Sequence, residues 1–218
     1  MSDSAAAQRR AGGRDLLLTF SGQRMFWCAS CAPKDLAASL AVESSAEDLK
    51  LLWAPNRLHE LHNGDNVIAI GTCTRDLNNP AHCDATCRRR CDVDAAEAKR
   101  HDFHNLLVRA KFGLVLPGNT PMSYRLAETM ACGAIPVIVS DFMVLPFQQL
   151  LNWSALSFRF PEALLSAALV RRLRAVPAER VRDMRLSVAA AYESASPRPP
   201  CCAAWRSSSC ACLVAHHR

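Results

Sequence analysis

Short apolar runs and longer stretches of helical period alternate along this chain, and the clearest succession lies in residues 111–153. Lys111 is followed by Phe112, Gly113, Leu114, Val115 and Leu116, an apolar run bounded by Pro117 and Gly118. A run of that kind predicts a buried strand. Ser123 is placed to cap a helix that Gly133 closes, and residues 135–139 form a second apolar, β-branched run. The unit reads as strand, glycine turn, helix, strand.

The flanks extend the same alternation. Residues 16–20 predict a first strand and 66–70 a second, while 35–52 carry a loose helical period. Residues 94–110 predict one helix with Phe103, Leu106, Leu107 and Ala110 facing inward. Beyond the central unit, the pattern predicts a short helix over 146–151 and a strand over 156–160. A helix then starts at Pro161 and Glu162 and continues to Tyr192, broken near Pro177. Strands alternating with helices predict an α/β fold, a Rossmann-like parallel sheet with helices on both faces. In such a sheet a turn and helix N-terminus lie at the carboxyl ends of the strands, where ligands bind and free backbone N–H groups favour phosphate.

Length and composition change this picture only at its borders. A chain of 218 residues builds one substantial core. Residues 1–13 are a polar, small-residue lead-in expected to be disordered, residues 14–193 the folded domain with a cysteine-rich insertion at 72–92, and residues 194–218 a disordered or mistranslated tail. The apolar run at 16–20 is far too short to cross a membrane, and no secretory leader is visible. The net charge of +6 comes largely from arginines at 88–90 and between 171 and 185. The later ones alternate with apolar residues at helical spacing, which predicts a solvated helix face. Aromatic residues are not interleaved with them, so no nucleic acid partner is expected.

Candidate chemistry concentrates at the head of the helix after the 111–116 run. Arg125 presents a planar fork of donors suited to phosphate. Glu128, three residues on, shares its helix face and can accept two hydroxyl hydrogen bonds. An arginine for a diphosphate beside a carboxylate for a ribose is the minimum needed to grip a nucleoside diphosphate. The same spacing also serves an ordinary surface ion pair.

Over residues 112–153 the sequence resembles the donor-binding core of exostosin-type glycosyltransferases. That pattern runs roughly F-C-L-x-P-R-G, then S-(F/Y)-R-x-x-E-A-(M/L), G-(C/A)-(I/V)-P-V, S-(D/N), L-P-F and (I/L)-(N/D)-W. It is met in order by Phe112, Leu114, Gly118, Ser123, Tyr124, Arg125, Glu128, Met130, the run 133–137, Ser140, Asp141, the run 145–147, Asn152 and Trp153. Residues 15–22 resemble the strand and glycine turn that open the same domain.

The resemblance implies the C-terminal, donor-side half of a two-lobed GT-B enzyme. Such an enzyme transfers a sugar from a nucleoside diphosphate sugar, first of all a UDP-sugar, to a glycan or glycoprotein acceptor, with inversion and with neither a metal nor a cofactor. Gly118, Ser123, Arg125 and Glu128 are the expected nucleotide-sugar ligands, with Arg125 also stabilising the leaving diphosphate. No residue offers itself as the general base. Family members work in the Golgi behind an N-terminal anchor and an acceptor-side lobe, so the chain is expected to be a fragment of a larger enzyme or a truncated gene model.

Departures from the pattern open a second reading. Leu116 and Pro117 stand where the family carries Pro-Arg, Met122 where a small residue precedes the serine, and Thr129 where alanine follows the glutamate. These changes would weaken donor binding, and a catalytically inactive nucleotide-binding relative is the alternative. A third reading comes from the 11 cysteines. Cys28 and Cys31, with Cys83 and Cys87, could hold zinc in a cysteine-rich interaction module. Disulfides in a luminal loop, as the family's compartment implies, and free thiols are the other possibilities. Cys132, at the end of the donor helix, is expected to be plain core packing. Asp92-Val93-Asp94 is read as acids at a helix N-terminus rather than a metal-binding triplet. The pairs His59/His62 and His101/His104 are read as surface histidines with no carboxylate nearby.

Overall fold

A computed structural model describes residues 13–24, 58–73, 85–117 and 123–195. Five strands form one all-parallel sheet: β1 (Leu16–Arg24), β2 (Val67–Cys73), β3 (Ala110–Val115), β4 (Ile135–Val139) and β5 (Phe158–Phe160). Their order across the sheet is β2-β1-β3-β4-β5. The helices are α1 (Leu58–Leu61), α2 (Ala85–Arg100), α3 (Phe103–Arg109), α4 (Tyr124–Ala131), α5 (Trp153–Leu156), α6 (Ala167–Arg174) and α7 (Ala178–Ala195), with a 3-10 turn at Glu162–Leu164. The Rossmann-like α/β arrangement expected from the alternation is the one observed.

Strands covered on both sides have to be apolar throughout rather than alternating, because parallel strands joined by helical crossovers face helices above and below. Val67, Ala69, Phe112, Leu114, Ile135 and Val137 point to one face, where Leu58, Leu165, Leu169 and Leu173 close over them. Val115 and Ile138 point to the other, under Leu126, Met130, Trp153 and Val188. Ile68 and Ile70 lie on that side too, against Leu106 of α3. Met184 belongs to the first layer and Val188 to the second, so α7 joins the two.

Element borders shift where local hydrogen bonding outweighs period. β1 runs past Gly22 to Arg24, because β2 continues the ladder through Gly22↔Gly71 and Arg24↔Cys73; Gly22 is mid-strand rather than a turn. The single helix expected over 94–110 is two. Asp102 adopts extended geometry and its carboxylate accepts from the Asn105 N–H at 2.8 Å, starting α3 afresh. Ala110 is already in β3. α2 begins at Ala85, so Asp92 and Val93 stand exposed in mid-helix instead of at its start. Residues 146–151 form a turn, not a helix, in which Leu150 and Leu151 donate to the Phe147 carbonyl and Phe147 takes a φ of 51°. The helix falls at Trp153, whose ring nitrogen donates to the Pro146 carbonyl at 3.0 Å, and β5 begins only at Phe158.

The predicted break near Pro177 separates α6 from α7. α6 is capped by Ser166, so the start at Pro161 makes only the 3-10 turn. No described helix is long and apolar enough to cross a membrane. The expected lead-in at 1–13 apart from Gly13, the helical stretch at 35–52, and the expected tail at 194–218 apart from Ser194 and Ala195, which end α7, lie outside the described residues.

Candidate functional site

Strand order places the site. The chain runs outward from β1 to β2, then returns past β1 to β3 and continues away through β4 and β5. The sense of the connections reverses between β1 and β3, and the crevice beyond the carboxyl ends at such a reversal is where open α/β sheets bind ligands. β3 ends there at Val115, and α4 starts from the same edge at Tyr124. Gly118 and Met122 lie in the connection, outside the described residues.

Ser123 is the N-cap residue of α4, in extended geometry, but its side chain makes no capping hydrogen bond. Tyr124 follows, almost wholly exposed. Nη1 of Arg125 donates to Oε2 of Glu128 at 2.8 Å, and both side chains remain about one third exposed, at 30% and 33%. The i,i+3 pair foreseen from spacing is therefore formed. The guanidinium carbon of Arg125 also sits 4.0 Å above the ring centroid of Phe103. Phe103, expected only to face inward, is half-buried and packs at the rim of a small cluster of Leu107, Cys132 and Ala134. The aromatic residue at the head of α3 was legible as core but not as a partner of Arg125.

At the carboxyl end of β4, the buried Ser140 hydroxyl accepts from the Phe142 and Met143 N–H groups at 3.3 and 3.1 Å. Glu162, read from sequence as a first-turn acid, lies against this turn. Burial foremost, and then the negative charge of Asp141, raise its carboxyl above the usual range, opposed by hydrogen bonds from the Asp141 backbone and the Ser140 hydroxyl. Asp141 itself is exposed.

The departures from the family pattern fall in different places. Leu116, at the pattern's proline, is buried in the core, and the half-buried Pro117 puts no cation at the position of the pattern's arginine. Thr129 is 1% exposed and lies under the sheet, not in the crevice. A Cβ added at Gly113 would come within 2.5 Å of the Thr129 methyl. The pattern's cysteine and alanine are here glycine and threonine, one small and one larger, so the pair exchanges volume across β3 and α4. Thr129 is therefore packed in the core between β3 and α4.

The opposite edge of the sheet consumes its cations. Arg14 is half-buried, with Nη1 donating to the Leu107 and Ala110 carbonyls at 2.6 and 2.5 Å and Nη2 to the Cys132 carbonyl at 2.6 Å. Burial, helped by the charge of Arg185, pushes its pKa down to about 9. Nε of Arg185 donates to the Gly133 carbonyl at 3.1 Å, so this member of the presumed solvated arginine face is not solvated. Arg171, Arg172 and Arg174 are exposed as expected. Arg109 is bound to Asp15, and this hydrogen bond holds its pKa up.

Two sulfur and histidine readings change. Cys132 is buried, as packing required, but is also disulfide-bonded. His101 and His62 do have a carboxylate near them: Glu97 lies 3.1 Å from one and 3.9 Å from the other. No group of three His, Cys, Asp or Glu among the described residues could hold a metal ion. Cys28, Cys31 and Cys83 of the zinc reading lie outside those residues.

A five-stranded parallel sheet of this order, with helices on both faces, belongs to the Rossmann-like α/β class, whose open sheets take ligands at the switch point. The chain belongs to the family of the Exostosin GT47 domain, whose model matches residues 5–176. It is 30% identical over 139 residues to an Exostosin-1 homolog of Caenorhabditis elegans, covering 64% of this chain and 35% of that protein. It is 34% identical over 130 residues to Exostosin-1c of Danio rerio (60% and 17%), and 33% identical over 143 residues to Exostosin-1 of Drosophila melanogaster (63% and 18%). The match thus spans about a third or less of the length of these relatives.

Proposed function

We propose that this chain is the donor-binding part of a glycosyltransferase that moves a sugar from a nucleoside diphosphate sugar, with UDP-sugar the first choice, to a glycan or glycoprotein acceptor. The observation that carries this reading is the Arg125–Glu128 pair at the head of α4, held at the β1/β3 switch point in a chain of the exostosin family. Arg125 neutralises the diphosphate, Glu128 accepts from the ribose hydroxyls, and the Ser123 hydroxyl and the turn at Gly118 donate to phosphate. As the glycosidic bond breaks, charge builds on the diphosphate, and Arg125 lowers the barrier by meeting it there. The transfer inverts the anomeric centre and needs no bound metal, since the arginine supplies the positive charge. The acceptor proton goes to a base outside the residues assigned here, so the chain alone is expected to turn over weakly or not at all. The compartment that goes with this reading is the Golgi.

Calorimetry with UDP on the wild type and on Arg125→Ala tests it. Equal affinities refute the assignment. A second reading, a nucleotide-binding relative without transferase activity, is favoured by one observation: the uncharged Pro117 stands where the family pattern has its arginine, beside buried Leu116. UDP binding without UDP-sugar turnover, when the chain is supplied as part of a complete two-lobed enzyme, would decide for that alternative.

A further inference from the structure

We propose that Phe103 is a positioning residue for Arg125, and this inference rests on the donor-binding reading above. α3 leads into β3 and α4 leads out of it, and both helices start on the carboxyl-end side of the sheet. The heads of the two helices are therefore neighbours, and the ring from one meets the guanidinium from the other at 4.0 Å. A guanidinium resting on an aromatic ring is held by its face, while its N–H donors point outward in its own plane. Among the described residues its hydrogen bonding is limited to the one bond to Glu128, out of five N–H groups that an arginine carries. The ring fixes the plane, the carboxylate fixes the rotation within it, and the remaining donors face outward along a defined edge.

An arginine on the outer side of a helix's first turn otherwise loses considerable side-chain freedom on gripping an anion. Here that freedom is already lost before the ligand arrives. Phe103 is suited to the task because it is itself fixed. It packs on the Leu107, Cys132 and Ala134 cluster, and its edge meets the His104 ring at a centroid distance of 5.5 Å and 64°. The residue therefore acts on the donor through Arg125 and touches no ligand itself.

The test is UDP affinity by calorimetry in a double-mutant cycle. Phe103→Leu keeps apolar volume but removes the ring's charge distribution, and should weaken UDP binding by about three- to ten-fold. Phe103→Tyr, which keeps the ring, should restore most of the affinity. In an Arg125→Ala background Phe103→Leu should change affinity by less than two-fold, since the group it positions is gone. A merely structural role would weaken binding by the same factor in both backgrounds and would overturn the proposal. So would a strong Arg125→Ala effect with none from Phe103→Leu, which leaves the donor reading standing. If Arg125→Ala itself leaves UDP affinity unchanged, the donor reading falls and the positioning role falls with it.

Discussion

Arg14 and Arg125 sit at opposite edges of one sheet and are held in opposite ways. Arg14 gives its donors to three backbone carbonyls, those of Leu107, Ala110 and Cys132, and is half-buried, with its pKa lowered by desolvation. Arg125 gives one hydrogen bond, rests its face on Phe103 and keeps about a third of its surface in solvent. The first is a clamp on the ends of α3 and α4; the second is a cation held ready. Donor satisfaction, not charge, separates an arginine that ties the fold together from one whose donors are mostly left over.

The comparison breaks most visibly at Arg14. Arg14→Met should strand carbonyls at the ends of two helices and cost about 2–4 kcal/mol in urea denaturation. Its UDP affinity, measured on folded protein, should stay within two-fold of wild type. Arg125→Ala should do the reverse, lowering UDP affinity by about 1.5–3 kcal/mol while moving the urea midpoint little. If both variants lose stability alike, the distinction between the edges is wrong.

A third measurement sharpens where the body of the fold ends. Gly113→Ala drives a Cβ into Thr129 and should destabilise by roughly 1–3 kcal/mol. Thr129→Ala in the same chain should recover most of that loss. Failure to recover would mean that the two positions do not exchange volume.

The smallest effect belongs to Glu162, at the ligand edge. Its pKa is raised in the fold, so above the ordinary carboxylate value the folded state binds the proton more tightly than the unfolded chain. Its contribution to stability is therefore best at low pH and falls as pH rises through the folded pKa. Glu162→Gln should gain a few tenths of a kcal/mol at pH 7 (roughly, for a group still partly in solvent) and nothing at pH 4. A gain at both would assign the effect to packing instead.

The central unit was readable because its physics is local. A strand buried on both faces must be apolar throughout, and Gly133, at a φ of 66°, closes the helix as a glycine should. The Arg125–Glu128 contact followed from helical spacing. What escaped was set by tertiary crossing. Phe103 and Arg125 belong to different helices and meet because both start at one edge. Arg14 bonds to carbonyls, which every residue carries and no sequence pattern marks. The split at Asp102 was hidden because helical period continues across it, while the carboxylate cap decides the break. Thr129 packs against Gly113 of a neighbouring element, a pairing that no local pattern marks.

The acceptors of Arg14 lie 93, 96 and 118 residues further along the chain. On a ribosome adding about 5–20 residues each second, roughly 6–24 seconds pass before the last of them is made. For most of that interval β1 lacks β3, the neighbour on its far side, although it is an inner strand of the finished sheet. The clamp therefore acts late, as a lock on a sheet that must first assemble around its oldest strand. Nascent chains stalled before Cys132 emerges should be cut readily by protease within residues 14–24, and released full-length chains should resist.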